Sequence, residues 1–129
     1  MGSAKPRAVV LPNGALVIAG GRPALNMWVS ADGFGKSWEF IDLPTVHNRL
    51  EPDPALRFCP AFANATVQLG WAQSSCYTQL GAVSSDTGIV CYERQGAASG
   101  GTSKPEPACR VSGAQMFCMR FTVTVLPAA

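Results

Sequence analysis

The sequence predicts an all-β fold built from two antiparallel meander sheets. Short apolar runs alternate with turn-forming residues along most of its 129 residues, which include 13 Gly and 10 Pro. No stretch of about ten residues repeats its apolar positions with the 3.6-residue period of an amphipathic helix. Because 47% of the residues are hydrophobic and 14% are charged, we expect a single folded domain. The first sheet is expected at about residues 7–43 and the second at about residues 74–125.

Four short strands are predicted in the first sheet, at residues 8–11, 15–19, 25–30 and 37–43. Asn13 and Gly14 separate the first two strands, and an Asn-Gly pair between apolar runs is a strong hairpin signal, since both residues tolerate positive φ. In the third strand, Met27 and Val29 fall on one face and Trp28 on the other. Four strands in such quick succession favour one antiparallel meander.

Residues 44–73 are predicted to be a long excursion with little regular structure and at most one short strand, at residues 66–69. The segment holds four prolines, and loops of this length in small domains are usually functional or mobile. We expect it to separate the two sheets.

Three strands are predicted in the second sheet, at residues 76–83, 89–94 and 115–125. A connection rich in Gly, Ser and Pro, residues 95–108, precedes the last strand, in which Phe117, Met119, Phe121 and Val123 face the same way. The second sheet therefore has one strand fewer than the first. Because proteins normally cover or pair such an open edge, we expect the chain to form a homo-oligomer.

Charge and composition exclude several kinds of partner. Ten Lys and Arg against eight Asp and Glu give a net charge of +2, and the arginines are scattered, so no nucleic-acid partner is expected. No apolar run approaches the length of a membrane-spanning helix, so no membrane partner is expected either. The first residues lack the apolar core of a signal peptide, which favours the cytoplasm but leaves the compartment undetermined.

The five cysteines predict neither a metal site nor a cofactor. They form no Cys-x-x-Cys pair, and His47 is the single histidine, so no usual zinc-ligand spacing exists. An odd number excludes complete internal pairing, which leaves two alternatives: reduced, mostly buried thiols, or one or two disulfides with a free thiol. Cys91 and Cys118 are expected to be buried on one sheet, unpaired or paired with each other, while Cys59 and Cys109 lie in loops.

Residues 30–38, Ser-Ala-Asp-Gly-Phe-Gly-Lys-Ser-Trp, carry a resemblance to a known family. They resemble the Asp-box (Ser-x-Asp-x-Gly-x-Thr-Trp) of sialidases and other BNR-repeat proteins, a turn between the third and fourth strands of a propeller blade. This sequence has one extra residue, and a serine replaces the threonine. The resemblance implies a structural role for five residues, with the carboxylate binding backbone N–H groups across the turn: Ser30, Asp32, Gly35, Ser37 and Trp38.

Other segments are similar to the same family in the same order. Gly-Arg-Pro at residues 21–23, Ser-Ser-Cys-Tyr-Thr-Gln-Leu at 74–80, Tyr-Glu at 92–93 and Met-Arg-Phe at 119–121 look like its later sequence elements. The resemblance covers about residues 7–125 and corresponds to the last two blades of a six-bladed propeller. It implies an incomplete sialidase-like β-propeller, because each blade takes about 40–50 residues and closed rings have four to eight blades.

Two residues receive functional roles from this resemblance alone. Arg22 matches one of three arginines that hold the substrate carboxylate, and Tyr77 matches the nucleophile of these glycoside hydrolases. The first of these arginines, the acid/base aspartate and the glutamate partner of the tyrosine belong to earlier blades and have no match here. We therefore expect a sialidase-like module that handles sialic acid or a related acidic sugar and is catalytically incomplete as a lone chain. If it were active, it would be an exo-sialidase.

Several alternatives stay open. Three copies of the chain would build a six-bladed ring, and a compact β-sandwich of unknown role is a further possibility. Arg22 has an alternative role as a strand-end cap, and Tyr77 as a buried tyrosine with a bonded hydroxyl. His47 is expected at the surface of a loop. Glu51 and Asp53 are expected to be exposed loop carboxylates, with an acid pair as the alternative.

Overall fold

The computed structural model describes residues 4–21, 25–58, 78–95 and 114–125. The strands of this part are, in chain order from β1 to β7, Ala4–Val10, Leu16–Gly21, Asn26–Ser30, Glu39–Asp42, Thr78–Ala82, Thr87–Gln95 and Ala114–Thr122. Between β4 and β5 lie helix α1, Leu43–Leu50, and a 3₁₀ turn, Pro54–Leu56. None of the helical segments described is long and apolar enough to cross a membrane.

The strands form two antiparallel meander sheets, as the sequence predicts. The first sheet has the order β1-β2-β3-β4 and the second the order β5-β6-β7. The described residues show no closed ring and no propeller arrangement of these sheets. The fold is therefore mostly β, with two sheets of unequal size and one short helix.

The Asn13-Gly14 turn forms the predicted hairpin and also joins the two sheets. Gly14 has a φ of 93°, and the Asn13 side chain accepts a hydrogen bond from the Ala15 amide at 3.1 Å. The backbone N–H of Asn13 donates to the Ser85 carbonyl at 2.8 Å. The side-chain Nδ2 of the same residue donates to the Val123 carbonyl at 2.9 Å. Ser85 lies in the turn between β5 and β6, and Val123 directly follows β7, so these ends of the two sheets meet.

This alignment gives the molecule two distinct ends. The hairpin end contains the β1–β2 turn, the β3–β4 turn and the β5–β6 turn. The far end contains the last residue of β2, Gly21, the first residue of β5, Thr78, and the closing residues of β6 at Arg94. Because antiparallel strands alternate in direction, every strand runs from one of these ends to the other.

The core lies between the inner faces of the two sheets. Val17, Ala19, Met27 and Val29 are buried on the first sheet, and they belong to one cluster with Val90 and Tyr92 on the second. The alternation of Met27 and Val29 against Trp28 is as predicted. Apolar side chains at alternate strand positions therefore hold the two sheets together.

The prediction of little regular structure from residue 44 onward is wrong for the first residues of that segment, because helix α1 begins directly after β4. Pro44 occupies the first turn, where its missing N–H costs no hydrogen bond, and the Thr45 hydroxyl donates to the Asp42 carboxylate. Leu43 and His47 lie four residues apart and are both buried on one face. The helix has only eight residues, too few to give a clear helical period. The strand predicted at residues 66–69 lies outside the described residues.

Cys91 and Cys118 form a disulfide across β6 and β7. They are directly opposite each other in the strand register, with a Cα–Cα distance of 4.1 Å, which is close to the separation of a non-hydrogen-bonded antiparallel pair. This pairing agrees with one of the two predicted alternatives. The expectation that both are buried is wrong: Cys118 is exposed and Cys91 half-buried, because odd-numbered β6 positions face away from the core.

Candidate functional site

The Asp-box turn is built around one carboxylate with four hydrogen bonds. Asp32 Oδ1 accepts from the Ser30 hydroxyl and the Phe34 amide, both at 2.8 Å. Asp32 Oδ2 accepts from the Ser37 amide at 2.8 Å and from the Ser37 hydroxyl at 2.9 Å. These bonds, led by that of the Phe34 amide, hold the pKa of Asp32 well below its usual range. Both oxygens of this carboxylate are therefore occupied by hydrogen bonds within the turn.

The remaining Asp-box residues close the turn. Ser30 is fully buried, and its hydroxyl accepts from the Gly35 amide at 3.2 Å. Gly35 has a φ of 72°, and its carbonyl accepts from Trp38 Nε1 at 3.0 Å. Trp38 keeps 42% of its surface exposed, so its ring covers the turn from the solvent side. All five predicted structural residues therefore meet in one turn.

The two predicted ligand and catalytic residues, Arg22 and Tyr77, lie outside the described residues. Their neighbours along the chain are described: β2 ends at Gly21, and β5 begins at Thr78. Both of these strand termini belong to the far end of the molecule, opposite the Asp-box turn.

A buried histidine–tyrosine pair is the main feature that the sequence did not predict. His47 is 3% exposed, not at the surface as expected, and its Nδ1 lies 2.8 Å from the hydroxyl of Tyr92. Its Nε2 lies 3.1 Å from the Leu56 carbonyl, which can only accept, so Nε2 carries the proton. Nδ1 then accepts from the Tyr92 O–H, and the imidazole is neutral.

Aromatic rings enclose this pair. The ring of His47 meets Phe58 at 5.0 Å, Tyr92 at 5.9 Å and Phe117 at 4.6 Å between centroids, each in an edge-to-face arrangement. Burial lowers the pKa of His47, and Arg94 adds to that effect, while the Leu56 carbonyl and Glu51 act in the opposite direction. Burial also raises the pKa of Tyr92. Both side chains are thus kept neutral near pH 7.

A cleft of about 320 Å³ opens beside this pair, between the end of α1 and β7. It has an aromatic floor and a polar rim; its lining is His47, Leu50, Glu51, Tyr92, Phe117, Cys118, Met119 and Arg120. A larger cleft of about 580 Å³ lies at the hairpin end, where Trp38 and Glu39 face Phe121 and Thr122. Asp32 lines neither of these two clefts.

The two acidic residues in the proline-rich segment do not form an acid pair. Asp53 caps the 3₁₀ turn by accepting from the Ala55 amide at 2.9 Å. Glu51 Oε1 accepts from the Asp53 amide at 3.0 Å. Asp53 is exposed, as predicted, and Glu51 is half-buried at the cleft. Each carboxylate therefore bonds to local backbone.

Two buried side-chain atoms at the far end lack a hydrogen-bond partner. Thr78 Oγ1 and Arg94 Nε are both fully covered and make no hydrogen bond. Arg94 as a whole residue is 3% exposed, and its Nη1 donates to Gln115 Oε1 at 3.3 Å. Burial lowers the pKa of Arg94. Sequence reasoning missed Arg94, although it follows the inward-facing Val90 and Tyr92 at the two-residue strand period.

Within the described residues, no cluster of three or more His, Cys, Asp or Glu side chains is placed to hold a metal ion. Comparison with known proteins adds no relative: no protein-family profile, no curated protein and no solved structure matches the chain. Interpretation of the site therefore depends on the residues themselves.

Proposed function

We propose that the chain is a sialidase-like carbohydrate-handling module that binds an acidic sugar without hydrolysing it. In this proposal Arg22 holds the sugar carboxylate, and Tyr77 occupies the position of the family's nucleophile. The ligand class is sialic acid or a related acidic sugar. Fold resemblance alone does not establish a function, so the proposal depends on where the two strand ends that lead to these residues lie.

The observation that carries the proposal is the alignment of the two sheets. Hydrogen bonds from Asn13 to the Ser85 and Val123 carbonyls join the sheets at the hairpin end. The opposite ends, where the chain continues from Gly21 to Arg22 and from Tyr77 to Thr78, therefore belong to the same side of the molecule. This arrangement supports a shared site for an arginine and a tyrosine at that end.

The described residues also support binding without turnover. A tyrosine nucleophile needs a general base, and the leaving group needs a general acid. Of the acidic residues in the proline-rich segment, Glu51 and Asp53 are bonded to local backbone. Asp32 is held within the Asp-box turn at the other end. These three carboxylates are therefore held by hydrogen bonds within their own segments, which supports binding without hydrolysis.

Binding is tested by saturation-transfer NMR with N-acetylneuraminate on the wild-type chain and an Arg22→Ala variant. Arg7→Ala, which removes an exposed arginine from β1, is the matched control. We expect roughly millimolar affinity, since two charge-assisted bonds must offset the entropy of association. The signal should disappear in Arg22→Ala and persist in Arg7→Ala. Binding that is unaffected by Arg22→Ala would contradict the carboxylate role.

Self-assembly into a homo-oligomer is the second candidate function, and two surfaces favour it. Strand β7 forms an edge of the second sheet with no further strand paired to it in the described residues. On the outer face of the first sheet, Ile18, Trp28 and Phe40 lie in register across three strands, and Phe40 is 57% exposed. Trp28 and Phe40 contact each other at 5.9 Å between ring centroids. A second copy that covers this row would remove apolar surface from water.

The molar mass in solution, measured by light scattering over a range of concentrations, tests this candidate. We expect a species larger than the 13.5 kDa chain, and Phe40→Ser should shift it toward the monomer. Phe34→Ser is the matched control, because Phe34 is 81% exposed but belongs to the Asp-box turn and not to this face. A strict monomer at high concentration would contradict self-assembly while leaving sugar binding untouched.

A further inference from the structure

We propose that the larger cleft, at the hairpin end of the molecule, binds a small organic cation of the alkyl- or arylammonium class. The cleft lies between the inner faces of the two sheets. Its volume of about 580 Å³ falls within the range of roughly 300–1,000 Å³ that is typical of small-molecule sites. The inference goes beyond the proposed function, because it concerns the opposite end of the molecule and a ligand of opposite charge.

The walls of this cleft are apolar and come from both sheets. Met27, Val29 and Ile41 line it from the first sheet, and Phe121 and Val123 line it from the second. These side chains can cover the hydrocarbon part of a ligand and so remove its apolar surface from water. An apolar wall does not distinguish one such ligand from another, so selection depends on the aromatic and charged groups of the lining.

Two aromatic rings in the lining, those of Trp38 and Phe121, are held in place by their own neighbours. Trp38 Nε1 donates to the Gly35 carbonyl at 3.0 Å. Phe121 lies opposite Gly88 in the β6–β7 register, and its ring packs so closely over that glycine that a Cβ there would overlap it. Rings that are fixed before binding lose little entropy when a ligand arrives, and their faces attract a cation.

The charge of the lining also selects a cation. Among the described residues that line the cleft, Glu39 is the one with a side chain that is charged near pH 7. It lies opposite the buried Val29 in the β3–β4 register, so it belongs to the inner face of the sheet, on the side of the cleft. A carboxylate beside two aromatic rings complements an ammonium group, whereas an anion would be repelled by both the carboxylate and the ring faces.

The test follows the indole Nε1–H signals of the full chain by ¹H–¹⁵N NMR during titration with benzyltrimethylammonium chloride. The Trp38 signal is assigned by its absence in Trp38→Phe. Trp28, on the outer face of the same sheet, provides the matched control signal, which is assigned through Trp28→Phe. We expect a saturable shift of the Trp38 signal and none of the Trp28 signal. Benzyl alcohol, which is neutral, and phenylacetate, which is an anion, should bind about fivefold more weakly or less.

Variants of the lining separate the effect of the charge from that of the rings. Glu39→Gln keeps the shape and removes the charge, so the affinity for the cation should fall about two- to fivefold while benzyl alcohol binding stays the same. Glu51→Gln removes a carboxylate from the smaller cleft and is the matched control, which should bind like the wild type. Phe121→Leu keeps an apolar side chain and removes the ring, so the affinity should fall roughly two- to tenfold.

The outcomes distinguish this site from the proposed sugar site. N-acetylneuraminate should not displace the cation, and Arg22→Ala should leave the titration unchanged, so either proposal can fail without the other. A Trp38 signal that does not saturate, or that shifts equally with benzyl alcohol, would overturn the cation site. Equal affinity of Glu39→Gln and the wild type for benzyltrimethylammonium would overturn the assignment of the ligand class.

Discussion

The Asp-box turn and the His47–Tyr92 contact differ in how far apart their residues lie in the sequence. The Asp-box carboxylate bonds only to residues within five positions of it, and all its bonds are exposed or half-buried. The His47–Tyr92 bond is buried and joins residues 45 positions apart. The first is a local polar motif, and the second exists only when the helix and the second sheet meet.

This difference determines how much free energy of unfolding is lost when each region is disrupted. Loss of a local, solvent-accessible turn leaves its donors free to bond with water, so little free energy is lost. Loss of the buried contact leaves polar atoms without partners among aromatic rings, and it also opens a cavity. Truncation of a large side chain at the helix–sheet contact should therefore destabilise the protein more than the loss of a polar side chain in the turn.

The largest effect is expected for Tyr92→Ala. Tyr92 is fully buried and contacts Phe58 and Phe117 as well as His47, so its truncation leaves a large cavity. The free energy of unfolding should fall by about 3–5 kcal/mol in urea denaturation. Tyr92→Phe keeps the ring and removes the donor to His47, so it should lose only about 1–3 kcal/mol. Equal losses for the two variants would contradict the importance of ring packing.

Removal of the Cys91–Cys118 disulfide should destabilise the same region by a comparable or smaller amount. The bond closes a loop with a sequence separation of 27 residues, and loop-closure entropy for that size predicts about 3–4 kcal/mol. The double variant Cys91→Ser/Cys118→Ser is compared with the wild type under non-reducing conditions. A thiol reductant should lower the unfolding midpoint of the wild type toward that of the variant. Insensitivity of the wild type to the reductant would refute this contribution.

In the Asp-box turn, Gly33→Ala should cost more than Gly14→Ala. Both glycines have positive φ, but a Cβ on Gly33 would lie 2.8 Å from the Gly14 carbonyl oxygen, whereas one on Gly14 meets nothing within 4 Å. Gly14→Ala should therefore lose about 1 kcal/mol for backbone conformation alone, and Gly33→Ala about 2–3 kcal/mol. Thermal unfolding of both variants measures the difference. If Gly14→Ala is destabilised as much as Gly33→Ala, the close contact between the two turns does not explain the loss of stability.

The smallest effects are expected from pH, and they separate the two regions. The folded-state pKa of His47 is lowered, so its contribution to stability is fully present above about pH 6.5 and is lost as the pH falls below that value. The pKa of Asp32 is lowered from 3.8, so its contribution persists until the pH falls below about 4. His47→Gln should abolish the first decline and Asp32→Asn the second, as measured by urea midpoints across pH. If stability still declines near neutral pH in His47→Gln, a group other than His47 causes that decline.

The sequence predicted the strands well because their signals are local. The Asn13-Gly14 pair and the alternation at Met27 and Val29 need no knowledge of distant residues, and the same holds for the Asp-box serines around Asp32. Helix α1 was missed because eight residues that include Pro44 give too short a period. His47 was assigned to the surface because its partners come from β6, β7 and the residues after α1.

Placement of the buried polar groups required the strand register. Tyr92 and Arg94 face inward at the two-residue period, but only the pairing of β5 with β6 brings Thr78 to the same face. From the sequence around Arg94 alone, a buried arginine cannot be told from an exposed one. Arg22 and Tyr77, which the resemblance assigns, stay predictions.

Hydrolysis of an activated aryl sialoside by the purified chain is the measurement that tests the central claim, acidic-sugar binding without turnover, most directly. We expect no release of the aryl group above the rate of buffer alone, because the carboxylates of Asp32, Glu51 and Asp53 are held by local bonds. Loss of both a general acid and an activating base removes several orders of magnitude in rate. Turnover that the wild type shows and Tyr77→Phe abolishes would contradict the claim and establish the chain as a working glycoside hydrolase.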